Sequence, residues 1–186
     1  MLGLIATAQP LIHTLLGTKW LPIAPYMQIL CIGYIFLGIA ANYINILYVK
    51  GLSSTVLRFN IFYSALILLS IVFTMYNGIV AMLIAWNIVT VIYAILVMFY
   101  VGKKIQYTFI EQVKDILPYL VIGLFMGAGV FGISFLIKNS AVLLLTQLTV
   151  GVSFYLCTAY WLGSKVFREL IELVKVKIVS LPPFFK

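Results

Sequence analysis

Amide side chains within apolar runs are the groups of this sequence best suited to bind a polar molecule. A helical period of about 3.6 residues places one polar stripe within an arc of about 100°: Gln28, Cys31, Gly38, Asn42 and Asn45. Such a stripe could line a hydrated cavity in which amides hydrogen-bond a polar substrate. It could equally join helices, since such hydrogen bonds in membranes contribute about 0.6 to 2 kcal/mol each. Both interpretations stay open, and the substrate-cavity candidates are Gln28, Asn42, Asn45 and Asn87.

Single polar residues and glycines in the later apolar runs indicate packing between helices. Taken singly, Trp86, Asn87 and Gln147 are more typical of packing than of a binding site. One later run is rich in glycine, and its glycines are the helix-packing candidates: Gly123, Gly127, Gly129 and Gly132. The first two form a Gly-x-x-x-Gly motif, which lets a second helix approach closely in lipid.

Catalytic and metal-binding chemistry have little support in the sequence. There is one histidine, and no HExxH motif, Gly-rich phosphate loop or adjacent nucleophile and base occurs. His13 is better explained as a residue near the end of a helix than as a site residue. The acids all fall outside the apolar runs, which leaves no carboxylate for a proton relay or cation site within a membrane: Glu111, Asp115, Glu169 and Glu172. We therefore expect no enzymatic activity, no metal site and no cofactor.

Composition identifies a lipid bilayer as the main partner of the chain. Hydrophobic residues make up 65% and charged residues 9% of the sequence, and the mean hydropathy is +1.19. A typical soluble domain is about half apolar and about a quarter charged. The net charge of +8 falls in short clusters between apolar runs, so no basic stripe on a soluble surface predicts nucleic-acid binding. The expected fold class is all-α, a multi-span bundle of transmembrane helices.

The apolar runs predict about five spans, each long enough to cross a bilayer. They cover about residues 25–48, 59–76, 79–101, 116–137 and 141–162. Asp115 is the expected N-cap of the fourth span.

The remaining segments are expected to be shorter or to lie on the membrane surface. Residues 1–16 are apolar but would reach only about 24 Å, less than the hydrocarbon core of about 30 Å, which indicates a truncated helix. The connector 105–115 and the tail 163–186 have helical amphipathic patterns, which predicts that both are interfacial.

The cationic residues predict how the spans are oriented. If the spans alternate in direction, one side collects most of the basic residues: Lys50, Arg58, Lys103, Lys104, Lys114, Lys165, Arg168, Lys175, Lys177 and Lys186. The other side holds Lys19 and Lys138. Because basic loops stay in the cytoplasm, the first group and the C-terminus are expected to be cytoplasmic.

Several ordered motifs resemble one family of membrane transporters. The segment from Pro10 to Trp20, with Ala24-Pro25-Tyr26-Met27-Gln28-Ile29-Leu30 after it, resembles the outward turn before a late helix of the bacterial polysaccharide flippases. Further matches are Asn42 with Asn45, then Lys50-Gly51, then Asn77-Gly78-Ile79. These flippases belong to the multidrug, oligosaccharidyl-lipid and polysaccharide exporter superfamily, and the resemblance extends in order over essentially the whole chain.

The resemblance implies a location, a substrate and a role. The chain would be part of the C-terminal lobe of a larger transporter in the bacterial plasma membrane, with a missing N-terminal lobe as its partner. The transporter would flip or export lipid-linked oligosaccharide by alternating access to a hydrated cavity. Family cavities often hold the diphosphate with basic residues, but no Lys or Arg falls mid-membrane here. The missing lobe would have to supply them.

Two other functions stay open from the sequence. The chain could be a small non-catalytic membrane scaffold or assembly subunit, as its glycine-rich run favours. An integral-membrane polysaccharide polymerase would need acids, Arg or His in a sizeable surface loop, and the loops here are too short.

Overall fold

Apolar helices joined by short turns make up the described part of the chain. The computed structural model describes residues 1–134, 137 and 139–161. Its α-helices are α1 (Leu2–Leu16), α2 (Ala24–Val49), α3 (Ser53–Thr74), α4 (Ile79–Ile105), α5 (Phe109–Ile133) and α6 (Ser140–Trp161). Short 3-10 helices cover Thr18–Ile23 before α2 and Met75–Asn77 after α3. No strand occurs within these residues, so the all-α expectation is confirmed for them.

Four helical segments are long and apolar enough to cross a membrane. They are Thr18–Val49, Ser53–Asn77, Ile79–Ile105 and Phe109–Ile133. Leu2–Leu16 and Ser140–Phe154 are shorter apolar helical segments. Only 6% of the most apolar window of Ser53–Asn77 is buried, so its side chains face outward and need a hydrocarbon environment.

Glycine makes two of the sharp turns possible. Gly17 follows α1 with φ 87°, and Gly78 precedes α4 with φ 88°. Side chains with a Cβ rarely adopt this left-handed region, whereas glycine does so at little cost. The short turn at Gly78 reverses the chain, so that α3 and α4 run in opposite directions.

The core lies where α2 and α4 pack together, with α3 against α4. Its buried residues come from these three helices: Ala40, Tyr43, Leu47, Val56, Tyr93, Ala94, Val97, Met98 and Val101. Helix α1 connects this group to the rest of the bundle, because it packs against α2, α5 and α6.

The predicted N-cap of the fourth span is wrong. Asp115 does not cap a helix; α5 begins at Phe109 and Thr108 is its N-cap. The connector 105–115 is therefore not a separate surface helix, because α4 continues to Ile105 and α5 follows after three residues. A capping box explains the earlier start: the backbone N–H of Thr108 donates to Glu111 Oε2 at 2.9 Å, and the Thr108 side chain accepts from the backbone N–H of Glu111.

Two other helix ends differ from the predicted ends of the apolar runs. Helix α3 begins at Ser53 rather than near 59, so Arg58 lies within the helix instead of in a polar loop. No Gly or Pro interrupts residues 53–58, and Ser and Thr are tolerated in a first turn. Helix α5 ends at Ile133 rather than near 137. The predicted tail 163–186, the end of the fifth span at 162 and Lys138 lie outside the described residues.

Candidate functional site

The polar stripe of α2 divides into a bound part and an exposed part. Gln28 Nε2 donates to the carbonyl of Ile5 on α1 at 3.0 Å, and Cys31 is buried. At this end of the stripe the side chains hold helices together, as the packing interpretation expects.

The other end of the stripe stays exposed. Asn42 and Asn45 are both exposed, and Asn42 Nδ2 donates only within its own helix, to the carbonyl of Gly38 at 3.1 Å. Asn42 lines a groove of about 270 Å³ between α2, the end of α4 and α5. The other lining residues are Ile39, Tyr43, Ile46, Ile105, Tyr107 and Ile116. This groove, which we call the amide groove, presents one amide and two phenols against aliphatic walls and can hydrogen-bond a neutral polar group.

Asn87 belongs to a helix crossing instead of the amide groove. Its Nδ2 donates to the carbonyls of Ile29 on α2, at 3.1 Å, and of Leu83, at 2.9 Å. Its Oδ1 is buried and accepts no hydrogen bond within the described structure. Ile29 and Asn42 are separated by about 20 Å along α2, at about 1.5 Å per residue. The structure therefore does not bring Asn87 and Asn42 into one site.

Gly33 makes this crossing of α2 and α4 possible. A Cβ at position 33 would lie 2.4 Å from Trp86 Cζ3 and 2.7 Å from Asn87 Oδ1. The ring of Trp86 also lies against that of Tyr34, with centroids 5.4 Å apart. Asn87 and Trp86 thus fill the space that a side chain at position 33 would take.

A polar cluster between α3 and α4 was not identified from the sequence. Thr90 Oγ1 donates to the carbonyl of Trp86 at 2.8 Å, so the Tyr63 hydroxyl must donate in its 3.0 Å contact with Thr90 Oγ1. Tyr93 donates to Asn60 Oδ1 at 3.3 Å, and the rings of Tyr63 and Tyr93 stack with centroids 4.4 Å apart. The signal was present, because each helix carries two of these residues three positions apart.

The glycines of α5 have two different environments. A Cβ at Gly123 would lie 2.8 Å from Leu2 Cδ1, and one at Gly127 would lie 3.6 Å from the Leu2 carbonyl oxygen. These two glycines pack against α1. Gly129 and Gly132 are exposed, and nothing described lies within 4 Å of such a Cβ at either position. They make no close helix contact among the described residues.

Gln147 joins the last two helices. It is 1% exposed, and its Nε2 donates to the carbonyl of Val130 and to Ser134 Oγ, both at 2.9 Å. Both acceptors belong to the end of α5, so this side chain fixes α6 against it. Its placement agrees with the packing interpretation.

Basic residues gather at one end of the bundle. Lys50 Nζ donates to the carbonyl of Lys104 at 3.2 Å, which brings the C-terminal ends of α2 and α4 together. Arg58 and Lys103 line a second groove, between α3 and α4. Because this end also holds the turn from α4 to α5, the amide groove opens near the same cations.

The turn between α4 and α5 contains Tyr107, a tyrosine outside the spans with a strongly raised pKa. The Tyr107 hydroxyl donates to Asp115 Oδ2. This hydrogen bond, reinforced by the charge of Asp115, raises the pKa of Tyr107 from 10.0 to about 12. The phenol at the edge of the amide groove therefore stays protonated to a higher pH than an ordinary tyrosine.

His13 and the other possible metal ligands of the described residues form no cluster. His13 lies in the last turn of α1, where its carbonyl accepts from the backbone N–H of Gly17 at 3.1 Å. Within the part of the chain described, no three His, Cys, Asp or Glu residues come together as metal ligands would. No family model, curated protein or solved structure matches the chain.

Proposed function

We propose that the chain is the C-terminal part of a transporter that flips or exports lipid-linked oligosaccharide across the bacterial plasma membrane by alternating access. The proposal assigns no catalytic step and no cofactor to the chain. The N-terminal lobe would close the cavity, and lipid-linked oligosaccharide would be the substrate, as the family resemblance implies.

The exposure of Asn42 is the observation that supports the proposal most. An amide on a membrane helix is costly when it faces hydrocarbon, and such groups usually face a bundle interior or a water-filled cavity. Gln28, in the same stripe, hydrogen-bonds to α1, whereas Asn42 and Asn45 are exposed and Asn42 hydrogen-bonds only within its own helix. Their face is thus free to line a hydrated path, with the amide groove beside it.

The groove suits part of an oligosaccharide. Sugar hydroxyls both donate and accept hydrogen bonds, as do amides and phenols. The lining offers Asn42, Tyr43 and Tyr107 beside aliphatic side chains. It holds no cation, so a diphosphate would be bound by the missing lobe.

Substitution of the exposed amides tests the proposal. In the full-length transporter, Asn42→Leu or Asn45→Leu should lower polysaccharide export several-fold, up to about tenfold, because each removes a hydrogen bond worth about 0.5 to 1.5 kcal/mol. Surface polysaccharide would be measured in cells, and membrane insertion would be checked by blotting the membrane fraction.

Thr149→Leu is a matched control. Thr149 is exposed on α6 and, like Asn42, hydrogen-bonds only within its own helix. It should leave export unchanged. Normal export by both asparagine variants would assign Asn42 and Asn45 to packing and contradict the proposal.

A second function, an assembly subunit of a membrane complex, is favoured by Gly129 and Gly132. Both face open space among the described residues, and small residues allow close approach of a partner helix in lipid. The purified chain would then form a defined oligomer, measured by native mass spectrometry. Gly129→Leu with Gly132→Leu would dissociate it, whereas a monomeric wild-type chain would contradict this function.

A further inference from the structure

The groove between α3 and α4 has a cationic end and an apolar wall. It encloses about 490 Å³. Its lining residues are Thr55, Arg58, Phe59, Phe62, Leu96, Phe99, Tyr100 and Lys103. Because the two helices run in opposite directions, the start of α3 lies beside the end of α4, so Arg58 and Lys103 both line this groove. We call this the Arg58 groove.

The two cations have no anionic partner in the described structure. Both are exposed, and no carboxylate lines the groove. The two acids of the described chain are engaged elsewhere: Glu111 caps α5 and Asp115 accepts from Tyr107. Two neighbouring positive charges without compensation repel each other, so an anion bound between them would be favoured.

The wall beyond the cations is apolar and faces outward. Phe62 is 47% exposed, Leu96 41% and Phe99 50%. Leu96 lies two turns from Lys103 toward the middle of α4, a distance of about 10 Å. This wall therefore runs from the charged end into the zone where a spanning helix meets acyl chains.

Aromatic contacts fix the shape of the groove. The ring of Phe59 lies edge-on to that of Tyr100, with centroids 5.2 Å apart. Phe99 stacks on Phe109, the first residue of α5, at 4.8 Å. Because neighbours hold the rings of Phe59, Phe99 and Tyr100, this part of the groove is ordered before any ligand arrives, which lowers the entropic cost of binding.

We propose that the Arg58 groove binds one anionic phospholipid. Arg58 and Lys103 hold its phosphate, since guanidinium and ammonium groups both pair with phosphate oxygens. One acyl chain lies along Phe62, Leu96 and Phe99. The combination of charge and apolar length selects a lipid over a soluble anion, and the site is separate from the amide groove.

Native mass spectrometry of the purified full chain would test the site. We expect phosphatidylglycerol to stay bound as one retained molecule and phosphatidylcholine to bind more weakly. Arg58→Gln with Lys103→Gln should weaken phosphatidylglycerol binding about tenfold or more, because two basic contacts to the headgroup are lost. Phosphatidylcholine binding should not change.

The matched control removes two cations outside the groove. Lys104 and Lys114 are exposed at the same end of the bundle, so Lys104→Gln with Lys114→Gln causes the same loss of charge. Phosphatidylglycerol binding should be retained. An equal loss in both double variants would show diffuse attraction to the basic end and would overturn the proposal.

A soluble headgroup separates a lipid from a free phosphate. Glycerol 3-phosphate and inorganic phosphate should compete poorly with phosphatidylglycerol, because neither fills the apolar wall. Competition by either at a concentration comparable to that of the lipid would assign the cations to a soluble anion and overturn the proposal.

Photocrosslinking of the wild-type chain tests whether a phospholipid occupies the Arg58 groove, even if the double variant fails to fold. Phosphatidylglycerol with a photoreactive acyl chain should label Phe62, Leu96 or Phe99 more than Leu145, which is 65% exposed on α6. Equal labelling of Leu145 would contradict a defined site.

Discussion

Gly33 controls how closely α2 and α4 approach, because the ring of Trp86 and the amide of Asn87 occupy its side-chain space. We expect Gly33→Ala to lower the free energy of unfolding in mixed micelles by about 1 to 3 kcal/mol, the usual cost of overpacking. Gly38→Ala on the same helix is the control, since nothing lies within 4 Å of a Cβ there. It should be neutral or stabilising by up to about 1 kcal/mol. If both substitutions changed the free energy of unfolding equally, the close contacts of Gly33 with Trp86 and Asn87 would not limit the approach of α2 and α4.

Tyr107 and Asp115 make the turn between α4 and α5 sensitive to alkaline pH. The bond to Asp115 raises the pKa of Tyr107 from 10.0 to about 12, so it favours the protonated phenol in the folded chain. Its stabilising contribution is full below the unfolded pKa of Tyr107 and is lost as the pH rises through about 12. Asp115→Asn should return the pKa of Tyr107 toward 10.0.

Tyrosinate absorbance, titrated in the wild-type and Asp115→Asn chains, would measure this change. Tyr107→Phe in each background identifies which part of the absorbance change comes from Tyr107. Glu111→Gln is a control that should change the pKa of Tyr107 little, because the charge of Glu111 is the smallest of the causes that raise it. An unchanged titration in Asp115→Asn would contradict the assigned hydrogen bond.

At the scale of the element, the start of α5 depends on its capping box. Thr108→Ala should destabilise the first turn by about 1 kcal/mol, because a backbone N–H loses its acceptor. Glu111→Gln should keep the box, since Gln accepts the same bond. Hydrogen exchange of the amides at 109–112 would measure both effects, with faster exchange expected only in Thr108→Ala. Unchanged exchange there would place the helix start elsewhere.

The central helices could be located from the sequence more accurately than α5. Pro25 and Lys50 bracket α2, and Gly78 precedes α4, so apolar length and breakers agree. The first turns of α5 carry Glu111 and Asp115, and two acidic residues in this segment are more typical of a surface connector than of a spanning helix. The Thr108-x-x-Glu111 spacing was the missed signal, because it marks a helix start regardless of hydropathy.

The site residues could be assigned to a helix face but not to a neighbour. Periodicity placed Gln28 and Asn42 on one stripe, yet only the packing of α1 decides that Gln28 is bound and Asn42 exposed. The cluster of Tyr63 and Tyr93 depends on which helices pair, and a helical period carries no information about that.

At the scale of the whole molecule, the exposed apolar surface and the clustered basic residues limit how the bundle can be positioned in a bilayer. Residues of α3 such as Leu68, Val72 and Phe73 are more than half exposed, which only lipid or more protein can cover. Lys50 and Lys104 meet at one end, whereas Lys19 lies beyond the opposite end of α2, which has 26 residues. At about 1.5 Å per residue, that helix is about 39 Å long and exceeds the hydrocarbon core.

Cysteine labelling would determine the orientation of the bundle. In a chain with Cys31→Ala and Cys157→Ala, single cysteines would replace Lys19, Lys50, Lys104 or Lys138. Because basic loops remain cytoplasmic, an impermeant maleimide should label positions 19 and 138 in intact cells and positions 50 and 104 only after permeabilisation. Positions 50 and 104 should react alike whatever the orientation, since the contact of Lys50 with the Lys104 carbonyl in the wild-type chain places both positions at the same end of the bundle. Labelling of 104 and 138 from the same side would contradict the alternating spans, and reversed labelling of all four would keep the bundle but place its basic end outside.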